Sequence, residues 1–145
     1  MNIVQATLNH INDLAPLFDA YRIFYKQTSN LDAAKAFLKS RIENKESTIY
    51  LCYDNDKAIG FTQLYPLFSS VSMERMYLLN DLYVDANYRS KGVGKMLIDA
   101  TKLLCKTNNY KGIAIQTAHD NPAQHLYQRL GFESDSDLHF FWTNR

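Results

Sequence analysis

The segment Arg89-Ser90-Lys91-Gly92-Val93-Gly94 has the pattern R-x-x-G-x-G, and its residue types suit the holding of an anion. Glycines at 92 and 94 let the backbone approach a ligand closely. A helix beginning here leaves its first N–H groups without intrahelical acceptors. The aligned peptide dipoles add roughly half a positive charge at that end, and Arg89 and Lys91 add whole ones. Phosphate suits such a turn. Two other phosphate loops are excluded by particular residues. A Walker loop needs glycine where Arg89 stands and serine or threonine where Met96 stands. A dinucleotide fingerprint needs a third glycine where Leu97 stands.

Such a turn needs a strand before it and a helix after it. A long strand is expected from about Met73 to Val84, then a helix from about Gly92 to Lys106 with Val93, Leu97, Ala100, Thr101 and Leu104 on its buried stripe. Asn108-Asn109 stops that helix, and Gly112 to Thr117 reads as a short apolar strand. Asn121 to Leu130 carries strong helix punctuation: asparagine as N-cap, proline in the first helical position, glycine just after the end.

Upstream, Asn2 to Thr7 alternates as a strand. His10 to Gln27 has helical spacing through Ile11, Leu14, Leu17, Phe18, Tyr21 and Phe24. Asn30 or Asp32 caps a second helix running to about Asn44. Thr48 to Tyr53 and Lys57 to Leu67 form a hairpin about Asp54-Asn55-Asp56. Leu138 to Thr143 closes the chain as a final strand. Neither a linker nor a repeat interrupts this order, so residues 1–145 read as one α+β domain around a mostly antiparallel sheet. The strand–helix–strand unit from Leu82 to Thr117 needs a crossover and supplies one parallel pair.

The chain has 145 residues, enough to bury about two-thirds of its unfolded surface. Sixteen basic residues against fifteen acidic leave a formal charge of +1, so nucleic acid and anionic membrane are disfavoured as partners and phosphate recognition must be local. Nothing in the sequence reads as a bilayer span or a secretion signal. Cys52 and Cys105 lie far apart, which fits reduced core thiols in the cytoplasm, and the four histidines have no ligand spacing, so no metal is expected.

A second segment, Asn121-Pro122-Ala123-Gln124-His125-Leu126-Tyr127-Gln128-Arg129-Leu130-Gly131-Phe132, follows the next strand. Together with the glycine turn it resembles the GNAT family of N-acetyltransferases, whose pattern here is N-x-x-A-x-x-L-Y-x-x-x-G-F. Asn121, Ala123, Leu126, Tyr127, Gly131 and Phe132 fill that pattern nearly completely; counted from Asn121, Ala123 falls one place early, and so do the four residues after it. The strand Asn80-Asp81-Leu82-Tyr83-Val84 resembles the family's fourth. The resemblance covers residues 78 to 133 in motif and the whole chain in element order.

That resemblance implies a sheet of about seven strands with about four helices, strands four and five splayed to hold acyl-CoA. It implies N-acetyl transfer from acetyl-CoA to a primary amine of a small molecule or peptide, by direct attack in a ternary complex. Arg89, Ser90, Lys91, Gly92, Val93, Gly94 and Lys95 would hold the pyrophosphate. The backbones of Leu82, Tyr83 and Val84 would pair with the pantetheine as an added strand does, and Asn121 would contact it. Tyr127 would be the general acid for the departing thiolate: a phenol near pKa ~10 can protonate a thiolate whose acid is near ~8.5.

The base stays open among Asp81, Glu74, His119 and a chain of waters. Strand alternation sets Asp81 on the face opposite Leu82 and Val84 unless a bulge reverses the parity. For the acceptor, Phe24 and Tyr25 are candidates as ring faces for a cation, with Tyr25 off the buried stripe. An acyl-CoA-binding module without turnover is the alternative, and Tyr127 argues against it. Family members often form homodimers, and Phe140-Phe141-Trp142 could serve such an interface or pack within one chain.

Overall fold

The structure is a computed structural model describing residues 1–144. Among the described residues five strands form one sheet in the order β1-β2-β3-β4-β5: β1 Asn2–Gln5, β2 Thr48–Asp54, β3 Lys57–Ser69, β4 Glu74–Val84 and β5 Ile113–Ile115. The first four are antiparallel neighbours, and β4 and β5 are parallel. Helices α1 (Ile11–Phe24) and α2 (Leu31–Glu43) cover one face. Helices α3 (Val93–Thr107) and α4 (Ala123–Arg129) cover the other.

The expected α+β order is present, with fewer strands than about seven. Residues 138–143, expected as a strand, form none; the segment has no neighbouring strand in a single chain, and its large side chains face solvent. β1 also ends two residues early, because Thr7 leaves the sheet to cap the 3₁₀ turn Leu8–His10 through its side chain.

Two cores divide the apolar residues between the faces. Leu14, Phe18 and Leu38 of α1 and α2 pack with Ile49, Leu51 and Phe61 of the sheet. On the opposite face, Val93, Leu97 and Ile98 of α3 meet Cys52, Ile59, Leu64, Tyr77 and Leu79. The α3 stripe runs Val93, Leu97, Ile98, Thr101 and Cys105, leaving Ala100 and Leu104 half-buried. Phe24, expected on the α1 stripe, is the last residue of that helix and is 56% exposed.

Local chemistry sets the helix starts. Asn30 caps α2, its side-chain oxygen accepting from the Ala33 amide at 3.1 Å. Asp19 fixes the α1–α2 turn by accepting from the Ser29 hydroxyl at 2.6 Å and the Asn30 amide at 2.9 Å. Those two donors, opposed by partial burial, hold its carboxyl below the usual aspartate value.

Gly60 lets α3 seat on the sheet. A Cβ there would meet the Tyr83 carbonyl oxygen at 3.0 Å and Val93 Cγ1 at 3.1 Å. Gly60→Ala must push α3 outward or shift β4, and is expected to lose about 1–3 kcal/mol, the usual cost of overpacking. Urea unfolding measures the loss, and an unchanged midpoint would show that α3 does not bear on this glycine.

Candidate active site

One extra residue in β4 shapes the site. The register with β3 shifts between Gln63 and Leu64, which pair with Asp81 and Leu79, so Asn80 is left over as a bulge. Before it, Tyr77 and Leu79 face α3; after it, Leu82 and Val84 do. The odd-numbered Asp81 and Tyr83 are thereby turned to the other face, where Tyr83 joins the α1 core. Asp81 does lie opposite Leu82 and Val84, and the parity reversal falls just upstream of it.

At the same point β4 parts from β5. Pairing runs only from Tyr77↔Ile113 to Leu79↔Ile115, and beyond it a cleft of about 860 Å³ opens between the strands. Leu82, Tyr83 and Val84 line one wall; Ile115, Gln116, Thr117, Asn121 and Tyr127 line the other. Arg89, Ser90, Gly92, Val93, Gly94 and Lys95 close one end, and Tyr21, Phe24 and Tyr25 of α1 also border the cleft.

The glycine turn has the backbone an anion site requires. Ser90 and Gly92 both adopt left-handed φ, 62° and 84°. No side chain caps α3, and its first helical bond runs from the Met96 amide to the Gly92 carbonyl. The amides of Val93, Gly94 and Lys95 therefore have no intrahelical acceptor where these residues meet the cleft. Gly94 is tight for another reason: a Cβ would lie 3.1 Å from Leu126 of α4, so the two helices approach closely here.

The cations differ in their surroundings. Arg89 borders the cleft, its Nε donating to the Val84 carbonyl at 3.1 Å and its guanidinium 5.6 Å from the Tyr83 ring centroid and 6.0 Å from that of Phe24. Lys95 is matched by Asp99 at 2.6 Å. Lys91 sits with its ammonium 5.4 Å from the Tyr88 ring and is not among the lining residues.

Asn121 caps α4, its side chain accepting from the Ala123 amide at 2.9 Å. Tyr127, one helical turn on, stands beside Phe132 at 6.2 Å between ring centroids. Burial, then the neighbouring Tyr25, pushes its phenol up to about 12, so it is a neutral donor at ordinary pH.

Among the base candidates, Asp81 is 2% exposed and does not line the cleft. Its two oxygens accept from Asn80 Nδ2 and Gln63 Nε2, each at 2.6 Å. Burial raises its carboxyl above the usual value, against the lowering effect of Asn80, Gln63 and Tyr21. Tyr21 joins this group to the cleft: its hydroxyl donates to the Asn80 carbonyl at 3.2 Å, and burial with the adjacent Asp81 charge pushes its phenol far up. Glu74 lies at the far end of β4, and His119 is exposed and outside the lining. Among the described residues, no group of three His, Cys, Asp or Glu is placed to hold a metal.

Gln63, Asn80 and Tyr21 were missed as a polar network by sequence reading. The available signal was Thr62-Gln63 in the middle of an otherwise apolar strand. Both are fully buried, and Gln63 Oε1 has no hydrogen-bond partner among the described residues.

Removing the buried charge tests this network. Because Asp81 holds its proton more tightly folded than unfolded, its stabilising contribution is complete below the unfolded value near 3.8 and fades as pH rises through the folded one. Asp81→Asn keeps two hydrogen bonds if the Gln63 amide turns over, which also gives Oε1 a donor. Melting temperatures across pH should therefore show the variant gaining on the wild type from acid towards neutral. A variant that loses ground at neutral pH would mean the charge itself stabilises the fold.

The family model for the acetyltransferase (GNAT) domain matches residues 45–134. The chain is 48% identical over 145 residues to the uncharacterized N-acetyltransferase YhfO of Bacillus subtilis, covering 99% of this chain and 97% of that one. It is 28% identical over 119 residues to the spermine/spermidine N(1)-acetyltransferase of the same species, 79% and 78% of the two chains. A solved probable acetyltransferase overlays 100% of this chain and 98% of its own with a TM-score of 0.92 at 38% identity. With the cleft between splayed strands, these matches establish that the chain belongs to the GNAT family and is an acetyl-CoA-dependent acyltransferase.

Proposed function

We propose that this enzyme moves the acetyl group of acetyl-CoA to a primary amine, by direct attack while both substrates occupy the cleft. One observation carries the reading: the three free amides at the start of α3 and the Tyr127 phenol border the same cleft. A diphosphate at the first would lead a pantetheine arm between β4 and β5 towards the second. Arg89 supplies the nearest unmatched cation, while Ser90, Gly92, Val93, Gly94 and Lys95 contribute backbone. Lys91, above Tyr88, serves as long-range charge. The outward backbone of Leu82, Tyr83 and Val84 is available to pair with the arm's amides.

In the transfer, the amine nitrogen forms a bond to the thioester carbonyl carbon and the carbon–sulfur bond breaks. Tyr127 gives its proton to the departing sulfur and recovers one from the nitrogen that has become an amide. A phenol whose affinity for protons is raised suits the second half of that cycle. Asp81, with both oxygens engaged, holds the Asn80 bulge, whose carbonyl accepts from the Tyr21 hydroxyl; water carries the proton that a cationic amine must lose before attack. The half-exposed rings of Phe24 and Tyr25, with Tyr21 between Tyr25 and the bulge, form a wall suited to a cation. A polyamine-acetylating relative supports the same acceptor class.

Tyr127→Phe should still bind acetyl-CoA while kcat falls at least tenfold. Full turnover in that variant would remove the acid role and favour simple packing. With the phenol titrating near 12, kcat in the wild type should show no loss from Tyr127 ionisation up to about pH 10. A CoA-release assay across polyamines, aminoglycosides, amino acids and peptide N-termini identifies the acceptor, and no release with any of them would sink the amine reading. Acetyl-CoA at about 100 times its Kd should stabilise the wild type by about 2.7 kcal/mol. Gly92→Glu should abolish this, since a carboxylate would then stand at the anion site on a left-handed backbone; an unchanged shift in melting temperature would place the cofactor elsewhere.

A further inference from the structure

We propose that Lys102 of α3 is a positioning residue for the acetyl transfer: it holds the end of α4 and thereby aims the Tyr127 phenol into the cleft. Its role rests on the acid role proposed above for Tyr127. Lys102 is half-buried and does not border the cleft, so it has no place against either substrate. Any effect on turnover must pass through the residues it contacts, and two contacts matter. Its ammonium donates to the carbonyl of Leu130, the residue that ends α4, and stands 5.5 Å from the centroid of the Phe132 ring. Among the described residues no carboxylate lies within ion-pairing distance of it, in contrast to Lys95.

Helix α4 needs such a hold. It has seven residues, and every one of them keeps some exposure. So short a helix is unstable by itself, and its place is set by what it packs on. Leu126, Tyr127 and Leu130 lie half-buried against the cluster around Ile98. Gly94, Ile98 and Lys102 follow one another at intervals of four, which puts them on one ridge of α3. Gly94 meets Leu126 at one end of that ridge, where a Cβ would lie 3.1 Å from it, and Lys102 reaches Leu130 at the other. Tyr127 falls between the two ties. With the second tie removed, α4 can pivot about Leu126 and carry the phenol with it.

Phe132 supplies a second route from Lys102 to the phenol. Gly131, at a left-handed φ of 92°, turns the chain back so that the Phe132 amide donates to the Tyr127 carbonyl at 3.0 Å. The Phe132 ring then meets the Tyr127 ring at 6.2 Å, with 63° between their planes. An aromatic face attracts a cation, so the Lys102 ammonium steadies the ring that abuts the phenol as well as the end of its helix. A general acid must sit within hydrogen-bond reach of the atom it protonates, and an error of roughly 1 Å can cost about a hundredfold in rate. Helix α3 thus serves both ends of the reaction: its first amides face the anion site, and its Lys102 holds the acid.

Steady-state kinetics compare Lys102→Met, which keeps an apolar stem without donor or charge, with Lys102→Arg, which keeps both. The acceptor is whichever polyamine, aminoglycoside, amino acid or peptide releases CoA fastest. In Lys102→Met kcat should fall about tenfold, with the acetyl-CoA Kd and the acceptor KM unchanged. Lys102→Arg should keep most of the wild-type kcat. In a Tyr127→Phe background the methionine substitution should cost nothing further, because the group it positions is gone. The Leu130 and Phe132 amides should exchange faster in Lys102→Met, while those of β3 stay protected. A wild-type kcat in Lys102→Met overturns the role. So does an equal loss in the Tyr127→Phe background, or an arginine variant as slow as the methionine one. The two readings fail differently: full turnover in Tyr127→Phe removes the acid itself, whereas a slow Tyr127→Phe beside a fast Lys102→Met removes the positioning alone.

Discussion

A single inserted residue in β4 is the constraint on which the site depends. A strand turns alternate side chains to opposite faces, so one extra residue exchanges the faces for everything after it. With Asn80 as the extra residue, Tyr77 and Leu79 pack under α3 and α4, and so do Leu82 and Val84. Asp81 and Tyr83 pass to the α1 side. Pairing with β5 stops at Leu79, one residue before the insertion. Beyond it the two strands separate, and the space between them is the cleft.

The insertion is held from below by polar groups. A buried carboxylate needs hydrogen bonds to stay in a core, and Asp81 has them from Gln63 on the neighbouring strand and from Asn80 itself. Thr62 adds a third contact, its hydroxyl donating to the Asp81 carbonyl oxygen at 2.8 Å. The bulge is therefore fixed from β3 and from α1, through Tyr21, independently of anything bound in the cleft. An enzyme gains from such preorganisation because its donors need no rearrangement as charge develops.

The anion site proposed at the start of α3 suits a chain of nearly zero net charge because its donors are local. Backbone amides and a helix terminus act within one turn, and of the two lysines in the loop region, Lys95 is matched by Asp99. Arg89 works at the rim, stacked between Phe24 and Tyr83. Its position ties the end of α1, which borders the cleft, to the turn that opens α3. One side chain thus links the two ends of the cleft.

The sequence alone determined what short-range rules control. The glycine turn, the caps at Asn30 and Asn121, the α3 stripe and the order of elements all follow from spacing and from residues acting on their immediate neighbours. Motif spacing likewise pointed to Arg89, Gly92, Gly94, Asn121 and Tyr127, and all five border the cleft. Pairing partners and registers were decided only in three dimensions, since they depend on residues far apart in the chain. The bulge at Asn80 exists because β3 sets the register opposite it, and Gln63 reaches Asp81 from eighteen positions away in sequence. Phe24 left the buried stripe because α1 ends there, and Leu138–Thr143 is no strand because a strand needs a neighbour to pair with. A residue's type states what it can donate, accept or bury; the fold alone decides which group it meets.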